Sequence, residues 1–361
     1  MKTRFAYRRF VALTEYDVPQ FLARRSGREL DIEAEKYGIQ SRLIARPDAT
    51  ITDLAAAAID KLCAASAVAR REVGGAVLSS RHIEIDDLAK KLAARLGDGF
   101  QVQGIERACS GFPAATRLAM SMALETGKPI AVVTSEIISR NINWESPDGT
   151  PADQQRARGQ ASKLFADGAA AVLVEPNVSS AGSHEIFDCW ADEVPDKHQL
   201  LQKADVANAC DPWGQPQTGV VGCISMPGRR GYLLLKRAPE LMIMALEKSL
   251  ENAKRIESLG DEMLSDVVHH QANGMMVPLI EQQLAETSWG KTAKVWNCIA
   301  HHGNTVSATI PLAMADVQDR LSPGALVGMP SVGAGGPGYR PDVLSTGCVL
   351  IRMGGDGILL K

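Results

Sequence analysis

Arg117-Leu118-Ala119-Met120 and Pro311-Leu312-Ala313-Met314 decide the fold, because they occupy the same place in two successive runs of helix and strand patterns. Around the first, Pro113 to Glu125 predicts a helix closed by Gly127, preceded by an Ala-rich helical pattern from Ile51 to Ala69 and a short apolar strand from Gly75 to Ser79. Ile130 to Thr134 and Ala169 to Val174 follow as β-rich runs. Around the second, the same order returns: a helix from Pro239 to Arg255, a strand from Asp266 to His270, a helix from Ser307 to Arg320, and strands from Ala325 to Met329 and Cys348 to Met353. Val73 to Leu78 falls on Ser265 to His270 at an offset of 192, the two helical stretches at 194, and Ile130 on Ala325 at 195. Asp167 to Leu173 resembles Thr346 to Leu350 at a smaller offset, because the loop at 136–162 is longer than its counterpart at 331–345. Order and spacing therefore imply a duplication, and two strand-and-helix units imply a layered α/β body with a pseudo-two-fold axis. The predicted halves are 1–175 and 229–361. Segment 176–228, without a partner in the other half, reads as an insertion or lid over one face.

Composition narrows the function. The chain has 361 residues, 45% hydrophobic and 22% charged, ordinary for a globular protein, which excludes disordered, collagen-like and coiled-coil chains. A formal charge of −3 supplies no global positive field, so nucleic acid is not an expected partner. No apolar stretch approaches the roughly 18 residues of a membrane span, and the first residues lack an apolar core of secretory length, so the expectation is a cytoplasmic protein that does not engage a membrane. Seven cysteines, an odd set without a C-x-x-C pair, fit neither a disulfide scaffold nor a zinc ribbon. The pairs His269-His270 and His301-His302 each offer at most one side chain to a site, since neighbours on a strand point to opposite faces; no metal is expected.

Cys109 stands in Glu106-Arg107-Ala108-Cys109-Ser110-Gly111-Phe112-Pro113, immediately before a helix. A thiol there faces free N–H groups and the positive end of the helix dipole, which is expected to lower its pKa and make it a nucleophile. The repeat offset puts Gly303 and Asn304 opposite Cys109 and Ser110, also at a helix start, and His270 ends a strand, where open α/β sheets keep their sites. A thiol, an imidazole and a carboxamide thus converge on one predicted place. Gly333-Ala334-Gly335-Gly336-Pro337-Gly338 matches the dinucleotide fingerprint, but Pro337 and Pro341 spoil the helix that must follow it.

Ala108-Cys109-Ser110-Gly111-Phe112, His270-Gln271-Ala272-Asn273 and His302-Gly303-Asn304-Thr305 resemble the three signatures of the ketoacyl-ACP synthase III family of thiolase-fold enzymes. Tyr37-Gly38-Ile39-Gln40-Ser41-Arg42 and Phe165-Ala166-Asp167-Gly168-Ala169 agree with it. The resemblance implies a five-layered αβαβα sandwich, a homodimer, and acyl-CoA or acyl carrier protein phosphopantetheine thioesters as substrates, with no tightly bound cofactor and no metal. Cys109 would take the acyl group, and His270 and Asn304 would stabilise the enolate left as a malonyl-type thioester loses carbon dioxide. Gly335 or Gly336 would line the oxyanion hole. Arg229, Arg230 and Lys236, with Asn273, would border the entrance used by a carrier protein or a phosphopantetheine phosphate.

The chain departs from the family pattern in several places. Ile32 and Lys36 stand where the family often has a tryptophan and an arginine that clamp adenine; Met275, Gln282 and Gln283 replace cations used in carrier docking; and Arg81 to Gly99 lacks the usual acyl-pocket pattern. These departures point to a specialised enzyme of secondary metabolism. Two other activities stay open: acyl transfer from Cys109 to an alcohol or amine, and condensation followed by pyrone or ring closure. A silent partner subunit is the reading from a different class.

Overall fold

The computed structural model describes residues 4–26, 29, 36–97, 99–144, 161–177, 182–197, 202–207, 211–213, 220–225, 230–257, 259, 262–336 and 340–354. The first half runs through strand β1 (Phe5–Ala12), the hairpin β2 (Leu22–Ser26) and β3 (Ser41–Ala45), helix α1 (Ile51–Ser66), β4 (Gly75–Ser79), α2 (Ile85–Leu96), β5 (Val102–Ile105), α3 (Gly111–Thr126), β6 (Ile130–Glu136) and β7 (Gly168–Pro176). The second runs through β8 (His184–Pro195), the hairpin β9 (Gln202–Ala207) and β10 (Val220–Ser225), α4 (Arg230–Glu257), β11 (Asp266–Val267), α5 (Met276–Ala285), β12 (Lys294–Val295), the short α6 (Ile299–His302), α7 (Thr309–Val317), β13 (Leu326–Gly336) and β14 (Arg340–Arg352).

The main strands hydrogen-bond in the order β12-β11-β13-β14-β8-β1-β7-β6-β4-β5. Outward from the β8–β1 junction, both directions read alike. β4 pairs in parallel with β5 and β6, as β11 does with β12 and β13, and the remaining neighbours are antiparallel. This symmetry corrects the reading of 176–228. The segment supplies β8, the counterpart of β1, and β9–β10, which stand between β8 and α4 as β2–β3 stand between β1 and α1. The second half therefore begins at its own first strand. Glu185, Asp188, Asp192 and Glu193 break the apolar pattern of that strand and conceal it in the sequence.

Strands covered on both faces need apolar residues at every position, not alternate ones. β4, β6 and most of β7 are accordingly buried throughout. Helices α1 and α2 cover the outer face of the first half through Leu54, Ile59, Leu62 and Leu92, and α4 and α5 cover that of the second through Met242, Leu246, Ile280 and Leu284. Between the halves lie α3 and α7, whose Phe112, Ala115, Ala119, Ile310, Ala313 and Met314 share one core with strands of both. The layers are α-β-α-β-α. Small residues let the middle layer approach its strands: a Cβ on Gly347 of β14 would lie 2.8 Å from the Trp190 carbonyl oxygen and 3.0 Å from Pro113 Cβ. Full burial of a side chain such as Phe112 contributes about 2 kcal/mol.

Helix ends follow local chemistry. Thr50 Oγ1 accepts from Asp53 N at 3.0 Å while Thr50 N donates to Asp53 Oδ2 at 2.9 Å, a capping box that starts α1. Gly127, at φ +65°, ends α3 with its N–H on the Ala123 carbonyl. Gly333 to Gly336 of the glycine-rich run form the end of strand β13 and pair with strand β14, so the described part of the run is strand and not the entry to a helix.

Candidate active site

Both middle helices are entered through a tight 3-10 turn, Ala108–Ser110 before α3 and Val306–Ala308 before α7. Each turn begins with a non-glycine residue in left-handed backbone, Ala108 at φ 43° and Val306 at φ 55°. Such strain, costly for a β-branched residue above all, is held by the surrounding structure and is typical of sites. The turns face each other across the pseudo-two-fold, since a Cβ on Gly111 would lie 3.0 Å from Ser307 Cβ. The counterpart of Cys109 is therefore Ser307, not Gly303 or Asn304 as the repeat offset implied. The second half has α6 and the loop carrying Asn304 inserted ahead of its turn, and the sequence offset skips over them.

Cys109, His270 and Asn304 line one cavity of about 270 Å³, together with Tyr37, Arg81 and Asn273. Leu164, Phe165, Leu235, Val332 and Ala334 make most of its wall apolar. Its mouth is marked by Tyr232 on α4 and Met275 before α5, 58% and 41% exposed. His270 and Asn304, 1% and 4% exposed, lie at the closed end.

Each side chain is fixed by its neighbours. The His270 backbone N–H donates to the Pro330 carbonyl at 2.9 Å, tying the loop after β11 to β13. His270 Nδ1 lies 2.5 Å from Thr309 Oγ1, and that hydroxyl is also 3.1 Å from the Val306 carbonyl oxygen. Asn304 N donates to Leu164 O at 2.8 Å, and Ala166 N donates to Asn304 O at 2.9 Å. Val306 N, which can only donate, lies 3.0 Å from Asn304 Oδ1. This sets the amide orientation and leaves Nδ2 as the donor, one of its protons directed to Ala272 O at 3.4 Å. Beneath this loop, Arg42 donates through Nη1 to Ser162 O and Phe165 O, at 2.6 and 2.9 Å, against Gly303.

Electrostatics overturn one expectation. Burial pushes the Cys109 thiol up to about 12; Arg81 pulls it down and Glu136 raises it further. Desolvation outweighs what the start of α3 provides, so the resting group is a neutral thiol. Burial, with His269 beside it, lowers His270 to about 3 and keeps the imidazole neutral at working pH. Glu136 closes β6 inside the same region. It accepts from Ser307 Oγ at 2.5 Å, from Ser80 Oγ at 3.2 Å and from Arg81 N at 3.2 and 3.0 Å, yet burial raises it to about 7.

The remaining sequence candidates separate. Asn273 lines the cavity, and its Oδ1 accepts from Met275 N at 2.9 Å. Lys236 is exposed on α4 with its ammonium 4.9 Å from the Tyr232 ring centroid, beside the mouth. Arg230 opens α4; Arg229 and Ile32 lie outside the described residues. Of the glycine-rich loop, Gly333 is the residue set against the nucleophile, where a Cβ would be 2.7 Å from Cys109 N. Gly335, at φ +86°, lies nearer Arg81, and Gly336 pairs with Arg340 across the hairpin. Among the described residues no group of three or more His, Cys, Asp or Glu is arranged to hold a metal ion, and no helix is long and apolar enough to cross a membrane.

Sequence reasoning passed over Glu136, Ser307, Thr309 and the site role of Arg81. Two of them carried a signal: a lone Glu closes the apolar run of β6, and Arg81 follows the apolar run of β4 by two residues, both at strand ends.

Comparison with known proteins agrees with this geometry. The family model described as 3-oxoacyl-[acyl-carrier-protein (ACP)] synthase III matches residues 104–189, and its C-terminal companion matches 257–352, together half of the chain. The chain is 28% identical over 306 residues to the 3-oxopimeloyl-[acyl-carrier-protein] synthase of Rhodothermus marinus, covering 84% of this chain and 82% of that protein. It is 29% identical over 330 residues to the beta-ketoacyl-[acyl-carrier-protein] synthase III of Prochlorococcus marinus, covering 89% and 87%. The crystal structure of 3-oxoacyl-(acyl carrier protein) synthase III from Pseudomonas aeruginosa PAO1 matches with a TM-score of 0.70 at 20% identity, over 98% of this chain and 99% of that one.

Proposed function

Because the chain belongs to the 3-oxoacyl-[acyl-carrier-protein] synthase III family and is a condensing acyltransferase, we propose that it loads an acyl group onto Cys109 and condenses it with a malonyl-type thioester, releasing carbon dioxide. The observation that carries this reading is the shared cavity of Cys109, His270 and Asn304, closed at the end where all three meet and open at Tyr232 and Met275.

In the loading step the acyl carbon bonds to Cys109 Sγ as its bond to the carrier sulfur breaks, and the carrier leaves as the thiol. Neither Cys109 nor His270 ionises alone at neutral pH. A proton passing from one to the other creates opposite charges side by side, which low-dielectric surroundings stabilise. Thr309 selects the state of the imidazole because its hydroxyl carries one proton. Directed to the Val306 carbonyl, it leaves the oxygen to accept from Nδ1–H, and Nε2 is basic; directed to Nδ1, it leaves Nε2–H as a donor.

In the second step that Nε2–H and an Asn304 Nδ2–H hold the thioester oxygen of the extender as its carboxylate departs as carbon dioxide. The electron pair of the broken bond becomes the enolate, whose carbon attacks the acyl carbon on Cys109 and frees the thiolate. The product is a 3-oxoacyl thioester. An acyl carrier protein as bearer follows from the names of the relatives. The open edge of β5 supports a homodimer, since a second copy there would continue the sheet. Met275, Gln282 and Gln283 in place of docking cations support a specialised pathway.

Asn304→Ala tests the enolate assignment. The variant is expected to form the acyl adduct on Cys109 while carbon dioxide release from malonyl thioester falls roughly 100-fold or more. Release at the parent rate would remove Asn304 from the mechanism.

A further inference from the structure

Glu136 belongs to the first half, yet its carboxylate is bonded to the turn of the second half on which His270 and Asn304 both depend. It closes β6, is 2% exposed, and its Oε1 accepts from Ser307 Oγ at 2.5 Å and, over a longer path, from Ser307 N at 3.4 Å. The loop after β4 holds the carboxylate from another side: Ser80 Oγ donates to Oε2 at 3.2 Å, and Arg81 N donates to the two oxygens at 3.2 and 3.0 Å. A carboxylate with donors on both oxygens has one orientation, so it is a fixed post for Ser307.

Ser307 shares a peptide with Val306. That unit is planar, with its N–H and C=O pointing in opposite directions, so drawing Ser307 N–H toward Glu136 aims the Val306 carbonyl the other way. The carbonyl lies 3.1 Å from Thr309 Oγ1, which lies 2.5 Å from His270 Nδ1. The preceding peptide carries Val306 N–H, which donates to Asn304 Oδ1 at 3.0 Å. Leu164 and Ala166 hold the Asn304 backbone, but its side-chain amide and the imidazole both take their orientation from the two peptides of Val306. Val306 stands in left-handed backbone at φ 55°, a conformation that a β-branched residue keeps only when its surroundings enforce it. The bonds from Ser307 to Glu136 supply part of that constraint.

Decarboxylation makes the stricter demand on this frame, because Nε2–H and Nδ2–H must meet on one oxygen, whereas loading uses the imidazole without the amide. We propose that Glu136 is a positioning residue for decarboxylation: through Ser307 it holds the peptides of Val306 that orient His270 and Asn304. This rests on the reading of those two residues as the pair that receives the thioester oxygen of the extender.

The test uses the wild type, Glu136→Gln, Glu136→Leu, Ser307→Ala and the Glu136→Leu/Ser307→Ala double variant. Loading of Cys109 from acetyl-pantetheine is followed by intact-protein mass spectrometry, and carbon dioxide release from malonyl-pantetheine is measured on protein already acylated. The ring nitrogens of His270 are followed by NMR of protein labelled with [15N]histidine, assigned against His270→Gln. Glu136→Leu is expected to slow decarboxylation roughly 100-fold and loading much less, since misplacement of the two donors acts on the first step most. Ser307→Ala should change both in the same direction by less, because its N–H still reaches Glu136, and the double variant should be no slower than Glu136→Leu. Glu136→Gln keeps an oxygen for Ser307 and should retain most of the decarboxylation rate, with His270 signals near those of the wild type; in Glu136→Leu those signals should move. Equal losses of loading and decarboxylation in Glu136→Leu, additive losses in the double variant, Glu136→Gln as slow as Glu136→Leu, or unmoved His270 signals in Glu136→Leu would overturn the assignment. Absence of carbon dioxide release by the wild type, with the His270 signals moving as stated, overturns the decarboxylation reading and supports the link from Glu136 to the imidazole.

Discussion

Replacing Glu136 by Gln should change how stability depends on pH, in a direction that the structure specifies. Glu136 is buried at the end of β6, and desolvation raises its carboxyl from 4.5 to about 7 against the hydrogen bonds from Ser307, Arg81 and Ser80. Below pH 4.5 the group is neutral in folded and unfolded chains alike. Between 4.5 and 7 the unfolded chain releases the proton that the folded one keeps, so stability falls as pH rises. Above 7 the group is ionised in both, and the whole cost is present. A shift of this size corresponds to about 3 kcal/mol.

His269 and His270, lowered to about 4 and about 3, act in the opposite sense: they are neutral when folded, and stability is lost as pH falls below 6.5. Their contribution cancels in the difference between variant and parent. Urea unfolding of Glu136→Gln and wild type at several pH values from 5 to 8 measures that difference. The variant is expected to gain about 2–3 kcal/mol on the parent across this range, whatever its stability at pH 5. A difference that stays flat, or that moves against the variant as pH rises, would show that the carboxyl is not held protonated by burial. Removing the carboxylate should also speed alkylation of Cys109 above pH 7, since Glu136 raises that thiol.

Two further substitutions probe the frame around the cavity. Thr309→Val removes the group 2.5 Å from His270 Nδ1, leaves a buried ring nitrogen unpartnered at a cost of about 1–3 kcal/mol, and should slow decarboxylation more than loading; loading and decarboxylation both at wild-type rates in stopped-time assays would deny Thr309 its control of the imidazole. Gly333→Ala puts a methyl 2.7 Å from both Cys109 N and Ser345 Oγ, and should cost about 1–3 kcal/mol with a matching loss of adduct formation; an unchanged melting temperature and loading rate would mean that the hairpin does not press on the nucleophile.

Much of the site was legible because its three side chains sit at junctions that announce themselves: a cysteine before a helix, a histidine after a strand, an asparagine after a glycine in left-handed backbone at φ +63°. A layered α/β body followed from the repeated order of elements, and its five layers from the resemblance to ketoacyl-ACP synthase III. What stayed hidden had physical causes. β8 bears Glu185 and Glu193, which pair with Arg4 and Arg107, so its acidic residues are satisfied within a sheet yet read as loop. The extra helix Ile299–His302 shifted the repeat and set Gly303 opposite Cys109, where the folded chain has Ser307. The helix-end argument for a low thiol pKa failed because depth in the protein is not written in the local sequence. Arg81 and Glu136 are charged residues whose burial only the assembled layers reveal.

One covalent bond, between an acyl carbon and Cys109 Sγ, carries the proposed chemistry. Intact-protein mass spectrometry after incubation with an acyl thioester, followed by peptide mapping, should show a mass increase equal to one acyl group, located on Cys109, and none on Cys109→Ala. An adduct on another residue, or condensation product formed by Cys109→Ala at the parent rate, would contradict it.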